Sequence, residues 1–372
     1  MAEEYDVIVV GGGPGGSSTA AFLAKAGRKV LLLDRAKFPR EKTCGDGISG
    51  RSTGVLRELG ILDSFKSVER REMNGITFSA PNGAIAPISG KKPDPDTPPS
   101  FVCRREVFDN VLFQNAKKLC AKTIEGFYAT DLIMDGSRVA GVKGRLGDKE
   151  MEFRAKVVVG ADGAGGITAR KLNAFNDDEA HQCAAARCYY DGVEGMGDRI
   201  ELHFIHDVIP GYFWIFPLPG KKANVGIGML VKDMKRRKTN LPKLMLDTIA
   251  KHPIFVERFK NAKRTTDVKS WLLPLGSRRM KIAGDGYVLV GDAASLIDPF
   301  SGEGVGNALT SGKYASQAIL GAFRQNDFSE RVLSEYPKML FEVLGHELDT
   351  NYKMQRIANN ESLLNMTLGK IE

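Results

Sequence analysis

The chain opens on a short apolar run at residues 6–10, rich in Val and Ile. It breaks into Gly11-Gly12-Gly13-Pro14-Gly15-Gly16 and continues with helix-like spacing over residues 17–26. Consecutive apolar residues bounded by glycine read as a buried strand, so the pattern predicts strand, tight turn, helix. Gly27 ends the helix, and residues 29–33 predict a second buried strand closing on Asp34, the span of a βαβ unit. Two more buried strands are expected at 156–159 and 287–290, each running into Gly-x-Asp or Gly-Asp and a glycine-rich stretch. Three such junctions, far apart in sequence, predict one cofactor touched from three places. Between the last two, about 183–271, the pattern shifts to alternating strands carrying aromatics and then to a basic helical segment. With an early piece at 74–101 this predicts a second domain interleaved with the first. Pro93, Pro95, Pro98 and Pro99 mark a loop or domain crossing.

The expected fold is therefore α/β, a Rossmann-like domain interleaved with an α+β substrate-binding domain and followed by a short helical C-terminus. The first domain is assigned 1–73, 102–180 and 272–330, the second 74–101 and 181–271, and the C-terminal segment 331–372. The 372 residues, 42% hydrophobic and 26% charged with 41 glycines, suit two globular cores and exclude disorder or collagen-like repeats. A membrane span needs about 20 consecutive apolar residues, and the longest charge-free run, 73–90, is broken by Asn, Ser, Gly and Pro. Glu3, Glu4 and Asp6 stand where a signal peptide would be basic, so a cytoplasmic location is expected. The five cysteines are scattered, without C-x-x-C or metal-ligand spacing, and read as reduced thiols; no metal site is expected.

The net charge of +8 is local. Residues 231–270 hold 12 Lys/Arg against 4 Asp/Glu, and the remainder balances at 41 against 41. Leu241, Leu244, Met245, Thr248 and Ile249 have helical spacing there, with Lys243, Lys251 and the run 235–238 beside them. This reads either as a solvated face or as a patch meeting anionic headgroups or an acidic electron donor, a peripheral membrane contact. Nucleic acid is not expected, because aromatics do not interleave with the charges.

In Gly-x-Gly-x-x-Gly, Gly11 makes the turn, Gly13 lets amides approach a pyrophosphate, and Gly16 permits close packing of helix on strand. Asp34 would accept hydrogen bonds from adenosine ribose hydroxyls and repel a 2′-phosphate. FAD or NAD fits this turn; NADP does not.

Gly291-Asp292-Ala293-Ala294, Asp298-Pro299 and the stretch from Gly302 to Leu309 follow a buried strand and open a second glycine-led helix. With the N-terminal turn, Gly160-Ala161-Asp162-Gly163 and Arg105-Glu106-Val107-Phe108-Asp109, these resemble the flavoprotein class that includes the aromatic hydroxylases. Within it, Cys44-Gly45-Asp46-Gly47, and Tyr212-Phe213-Trp214-Ile215-Phe216-Pro217 with Asn224-Val225-Gly226-Ile227-Gly228, are similar to the geranylgeranyl reductase family. The resemblance covers residues 5–321. It implies FAD as the cofactor and an isoprenoid chain, such as a prenylated lipid, as the substrate. Carried over by motif, the cofactor contacts are Gly15, Asp34, Cys44, Gly45, Gly47, Arg105, Ala129 and Asp292, with the amides of Gly304 and Val305 facing the pyrimidine end of the flavin. Asp162 joins them through its junction, as do Gly11, Gly13 and Gly16 through theirs.

Tyr212, Trp214 and Phe216 are the expected wall of the substrate cavity. Residues i, i+2 and i+4 of a strand share one face, so the three should form a flat apolar surface. Cys44 precedes two glycines that would bring the chain close to the flavin ring, and is the candidate catalytic residue; the alternative is a small buried hydrophobe. His203 and His206 lie an odd number apart in a strand-like stretch, which puts them on opposite faces, and Cys183 and Cys188 are separated in the same way. His181, His252 and His346 read as surface or capping residues.

The expected reaction delivers a hydride to one alkene carbon and a proton to the other, with Cys44 or an ordered water as proton source. No second dinucleotide turn is present, so the electrons come from an external donor, NAD(P)H or a ferredoxin-like protein. One rival is a flavin monooxygenase or halogenase acting on a small aromatic, although Tyr212-x-Trp214 stands where halogenases tend to carry Trp-x-Trp. Another is a non-catalytic prenyl-binding protein. The C-terminus is shorter than is common in the family and carries apolar positions at Met339, Leu340, Val343, Leu344 and Leu348.

Overall fold

The structure, a computed structural model, describes residues 4–90 and 100–370; the proline cluster at 93–99 lies outside the described residues. An eight-stranded sheet forms around the first strand, Glu4–Val10, which pairs in parallel with Val30–Asp34 on one side and Lys149–Gly160 on the other. Tyr287–Leu289 continues the parallel run beyond Lys149–Gly160. Parallel strands carry helices on their faces and are buried on both; accordingly every residue of Val30–Asp34 is buried. The three expected glycine junctions thus leave neighbouring strands at the same edge. The helix after the first junction, Pro14–Lys25, begins three residues earlier than its spacing suggested, because Pro14 is well placed in a first helical turn. The strand at the second junction reaches back to Lys149, its added half forming an antiparallel meander with Arg138–Leu146 and Phe127–Asp135.

A second eight-stranded sheet contains, in order, Lys263–Arg264, Gln182–Asp191, Ala223–Leu230, Tyr212–Pro217, Ile200–His203, Gly75–Ser79 and Ile85–Ser89, with Lys269–Pro274 also on Gln182–Asp191. The early piece therefore completes a sheet whose other strands arrive more than a hundred residues later. One face of this sheet is a dry core. Phe213, Ile215, Val225, Ile227, Ala186 and Cys188 pack there against Leu241, Met245, Ile249, Phe255 and Phe259 of the helices Leu241–Lys251 and Pro253–Phe259. Burying each of the large side chains stabilises by roughly 1.5–3 kcal/mol. The other face looks toward the first sheet.

The basic segment is thus a core helix by its apolar side. Much of its charge is also paired: Lys235 with Glu179, Arg236 with Asp233, Lys243 and Lys251 with Asp247, and Arg258 with Glu201. The C-terminal helix Glu335–Ile357 buries Leu340, Leu344 and Leu348 against the first core, while Val343 stays exposed. No helix among the described residues is long and apolar enough to cross a membrane.

Two side-chain expectations change. The strand carrying His203 ends there, so parity does not govern His206. The residues separate for another reason: His203 is buried between Ser79 and Glu201, whereas His206 is exposed and bonded to Glu361. No group of His, Cys, Asp or Glu suited to a metal occurs among the described residues. Parity does hold on Gln182–Asp191, where Cys188 is in the dry core and Cys183 approaches Gly228 on the opposite face.

Candidate functional site

A cavity of about 1100 Å³ lies between the two sheets. Its cofactor-side wall is made by two helix starts. Gly13, Pro14 and Gly15 stand at the head of Pro14–Lys25, and Gly304 and Val305 at the head of the 21-residue helix Val305–Gln325. Their N-cap residues, Gly13 and Gly304, have no side chain to cap either start, although Glu303 takes the Gly306 N–H of the second helix. Their first N–H groups lack intrahelical acceptors and carry the positive ends of the helix dipoles into the cavity. Gly16 faces elsewhere. A Cβ there would overlap the Gly11 carbonyl, so its role is the close packing of helix on turn.

The acidic residues differ in how free they are. Asp34 already accepts the N–H of Gly12 at 2.6 Å and of Ala36 at 2.7 Å, which fixes its carboxylate while leaving lone pairs toward the cavity. Asp162 is turned inward, accepting the Thr168 N–H at 3.0 Å and the Thr168 hydroxyl; burial lifts its carboxyl above the usual range. Asp292 is partly exposed in the cavity and takes no hydrogen bond among the described residues. Arg105 is spent on Asp109, with which it makes two bonds of 2.6 and 2.8 Å. Buried against that carboxylate and the Cys44 thiol, it stays charged well beyond the ordinary arginine range, the charged neighbours outweighing the cost of burial.

The Cys44 loop is held by one buried carboxylate. Asp46, fully buried and in the left-handed backbone region at φ 69°, accepts the Tyr189 hydroxyl at 2.6 Å, Asn224 Nδ2 at 2.7 Å and the Arg105 N–H at 3.2 Å. Asn224 Nδ2 also donates to the Cys44 carbonyl at 2.7 Å, and its Oδ1 accepts Trp214 Nε1 at 3.0 Å. Loop and aromatic strand are therefore wired together across the two sheets. Burial holds the Asp46 carboxyl above its ordinary range, against these hydrogen bonds.

Tyr212, Trp214 and Phe216 do share the cavity face, with Ala185, Leu202, Leu273 and Ile76 beside them. Their surface is not flat. Tyr212 and Trp214 meet at 68° and Trp214 and Phe216 at 51°, because neighbours dictate each ring. Trp214 lies over Gly226, where a Cβ would overlap the indole, and the Tyr212 hydroxyl donates to the Ser301 carbonyl at 2.6 Å. Phe216 packs on Gly45 and Gly47, whose added Cβ atoms would meet its ring at 2.9 and 3.1 Å. Those glycines are thus explained by an aromatic contact, and the Asn224-Val225-Gly226-Ile227-Gly228 alternation by Val and Ile in the core and glycine under the indole.

Sequence reasoning missed four cavity residues. Arg40 pairs with Asp109 at 3.1 Å and lies beside Gly13, and its Nη1 is buried without an acceptor among the described residues. Lys42, partly buried, sits 4.1 Å from the centre of the Trp271 ring, and burial pulls its ammonium down to about 8 against the charge of Asp292. Glu303 accepts the Gly306 N–H at 2.5 Å, and burial lifts its carboxyl. Arg187 is fully buried on the sheet face. Arg40 and Lys42 stand only four and two residues before Cys44, and that adjacency was the available signal; nothing in periodicity marks Arg187 or Glu303.

These features fit a dinucleotide flavin. Two helix starts and the orphaned Arg40 nitrogen suit a pyrophosphate, a free Asp292 suits hydroxyls, and the N–H groups of Gly304 and Val305 suit an electron-rich ring edge. The comparisons agree. An FAD binding domain matches residues 4–186, and a geranylgeranyl reductase catalytic domain matches 184–264. A digeranylgeranylglycerophospholipid reductase of Methanocella arvoryzae is 31% identical over 97% of this chain and 89% of its own length.

The chain belongs to the geranylgeranyl reductase family.

A solved structure of a geranylgeranyl bacteriochlorophyll reductase-like protein of Thermoplasma acidophilum superposes with a TM-score of 0.88 at 28% identity, covering 99% of this chain and 92% of that one. A 1H-pyrrole-2-carbonyl-[peptidyl-carrier protein] chlorinase of Pseudomonas fluorescens is 25% identical over 91% of this chain and 80% of its own. As a geranylgeranyl reductase family member the protein is a flavin-dependent oxidoreductase with FAD as its cofactor.

Proposed function

We propose that the protein reduces isolated C=C bonds of a geranylgeranyl or other polyprenyl chain. The observation that carries this reading is the apolar sheet face of Tyr212, Trp214, Phe216, Leu202 and Leu273 turned into a large cavity opposite two helix starts. Reduced FAD supplies the hydride when bound. Gly11, Gly13, Gly15, Asp34, Arg40 and Ala129 would hold its adenosine and phosphates, with Asp162 and Arg105 shaping the wall. Gly45, Gly47, Asp292, Gly304 and Val305 would hold the ring end. The aromatic face would lay the chain across the site and keep water out. Cys44, on a loop clamped by Asp46 and Asn224, would hold a proton at its Sγ, and Glu303 would be a second acid lining the same cavity. On this reading the chain divides into a cofactor body at 1–73, 102–180 and 272–330 and a substrate body at 74–101 and 181–271. The donor of electrons is external, a nicotinamide nucleotide or a ferredoxin-like protein, and the location is cytoplasmic. A peripheral membrane contact through 231–270 would rest on Lys232, Lys238, Lys263 and Arg264, which form no salt bridge among the described residues.

The test is to reduce the purified holoenzyme without oxygen, add a geranylgeranyl lipid and follow the flavin spectrum. Reoxidation with a gain of about two daltons per bond, the mass of a hydride plus a proton, is the expected result. Flavin that stays reduced with prenyl lipids but reoxidises with oxygen and an aromatic compound would move the protein to the monooxygenase or halogenase class, the reading that the chlorinase relative favours.

A further inference from the structure

One corner of the cavity is charged. Arg187 and Lys269 stand opposite each other on paired strands, with Trp271 one position further along the same face, and Lys42 reaches over from the first domain. Among the described residues the carboxylate in direct contact with them is Glu41, which pairs with Arg187 Nη2 at 2.8 Å and with Lys269; Asp46 acts on Arg187 through space, and the Arg187 guanidinium lies 4.5 Å from the centre of the Tyr189 ring. Arg187 is fully buried, yet its Nε and Nη1 have no acceptor among the described residues, and neither does Trp271 Nε1. Lys42 has the Thr43 carbonyl at 3.3 Å and the indole face, but no acid. Asp292 acts on Lys42 through space and belongs to the cofactor end. Three cations with one carboxylate in contact, and three orphaned donors, make a corner short of hydrogen-bond acceptors. A buried guanidinium in this state is costly unless something supplies negative charge.

We infer that this corner is a subsite for a phosphate or diphosphate ester at the polar end of the isoprenoid substrate. Lys42 and Lys269 meet its oxygens, and Arg187 lies beneath as a fixed charge whose field acts through a low-dielectric wall. The arrangement suits an amphiphile. The corner adjoins Ala185 and Leu273 on the face that leads to Trp214, and Lys269 is exposed at its outer edge, so the headgroup would stay at the mouth while the chain runs along the aromatics. The cofactor's own phosphates would instead take the helix starts and Arg40. This subsite rests on the prenyl-reductase reading.

The test compares geranylgeranyl phosphate with geranylgeraniol in the same micelles, using reduced holoenzyme and flavin reoxidation as readout. The phosphate should have the lower KM by about tenfold to a hundredfold, the range of one or two charge-assisted hydrogen bonds, and inorganic pyrophosphate should compete with it. Lys42→Met should narrow the ratio about tenfold, and Trp271→Phe, which keeps the ring and removes the N–H, by a few-fold. FAD content by visible spectrum and reduction by NADPH are measured on the same variants. Equal KM values for phosphate and alcohol in the wild type would overturn the subsite while leaving the reductase reading standing. Loss of FAD in Lys42→Met would assign the corner to the cofactor, and a defect confined to NADPH reduction would assign it to the reductant; either overturns the proposal. If neither isoprenoid reoxidises the flavin, it is the function itself that falls.

Discussion

Two arginines serve the same sheet in opposite ways. Arg258 gives Nη1 and Nη2 to Glu201 at 2.6 and 2.7 Å and Nε to the Glu194 carbonyl at 3.0 Å. Glu201 also accepts His203 Nε2 at 3.0 Å, and His203 Nδ1 meets the Ser79 hydroxyl at 2.8 Å. Every polar atom in that chain has a partner, and the cluster ties the helix Pro253–Phe259 to the strand Ile200–His203. Arg187, more deeply buried, satisfies one nitrogen of three. A complete network is architecture; an incomplete one beside a cavity is a place where something else completes it.

The comparison is broken or upheld most directly by removing each guanidinium. Arg258→Met leaves Glu201 and His203 buried without their main partner and should cost about 3 kcal/mol or more of stability in urea denaturation at neutral pH, with turnover per folded molecule unchanged. Arg187→Met strands the part-exposed Glu41 carboxylate, which keeps Lys269, and removes a positive charge that acts through space on buried Asp46, which keeps its three hydrogen bonds. It should cost less than Arg258→Met, about 1–2 kcal/mol. Equal losses would mean that Arg187 is architectural too.

Gly226→Ala probes the apolar half of the same face while leaving every charged side chain in place, although Gly226 stands opposite Arg187 in the strand register. The new methyl would displace Trp214 and press on the Ala186 carbonyl, so overpacking should cost about 1–3 kcal/mol. Because Trp214 is wired through Asn224 to the Cys44 carbonyl, the flavin absorption band should shift and turnover should fall more than stability does. A variant that loses stability alone would show that the indole position is not coupled to the site.

Acid separates the two clusters as well. Burial works to raise the Glu201 pKa, but the hydrogen bonds from Arg258 and His203 outweigh it and the net shift is downward. A carboxyl whose folded pKa lies below its unfolded one contributes stability above the usual value near 4.5, and loses it as pH falls through the folded pKa. The stability gap between wild type and Glu201→Gln should therefore shrink in urea melts below pH about 4.5. The effect of Arg187→Met changes there only through the two carboxylates it acts on: Glu41, whose carboxyl Lys269 and Arg187 hold low against the cost of burial, and Asp46, whose carboxyl burial holds above its ordinary range.

How far this was legible beforehand follows from what each feature depends on. The glycine junctions, the strand order they imply and the aromatic stripe are local patterns, and periods of 2 and 3.6 carry them directly. The pairing of the basic segment was not legible because helix spacing reports an apolar face and says nothing about which acids lie opposite; Glu179 sits more than fifty residues from Lys235. The flat aromatic platform failed for a related reason: strand parity fixes the side a ring occupies, whereas its tilt is set by Gly226, Ser301 and the Cys44 loop. The Arg187 corner is the extreme case, assembled from residues 41–42, 187 and 269–271, with no motif at any of them.

Lys269→Met is the smallest of these changes and the sharpest on the nature of the corner. Its ammonium is about half exposed and paired with Glu41, and such pairs contribute about 0–1 kcal/mol, so stability should move by no more than about 0.5 kcal/mol. The KM for geranylgeranyl phosphate should rise about twofold to fivefold at low ionic strength and lose that increase near 1 M salt, where the screening length is about 3 Å. The Lys42→Met defect should survive the same salt, since a partly buried charge is screened less. Were Lys269 to matter more than Lys42, or both defects to vanish together in salt, the phosphate would be held by a surface field rather than by the corner, and the unfilled donors of Arg187 would belong to the fold.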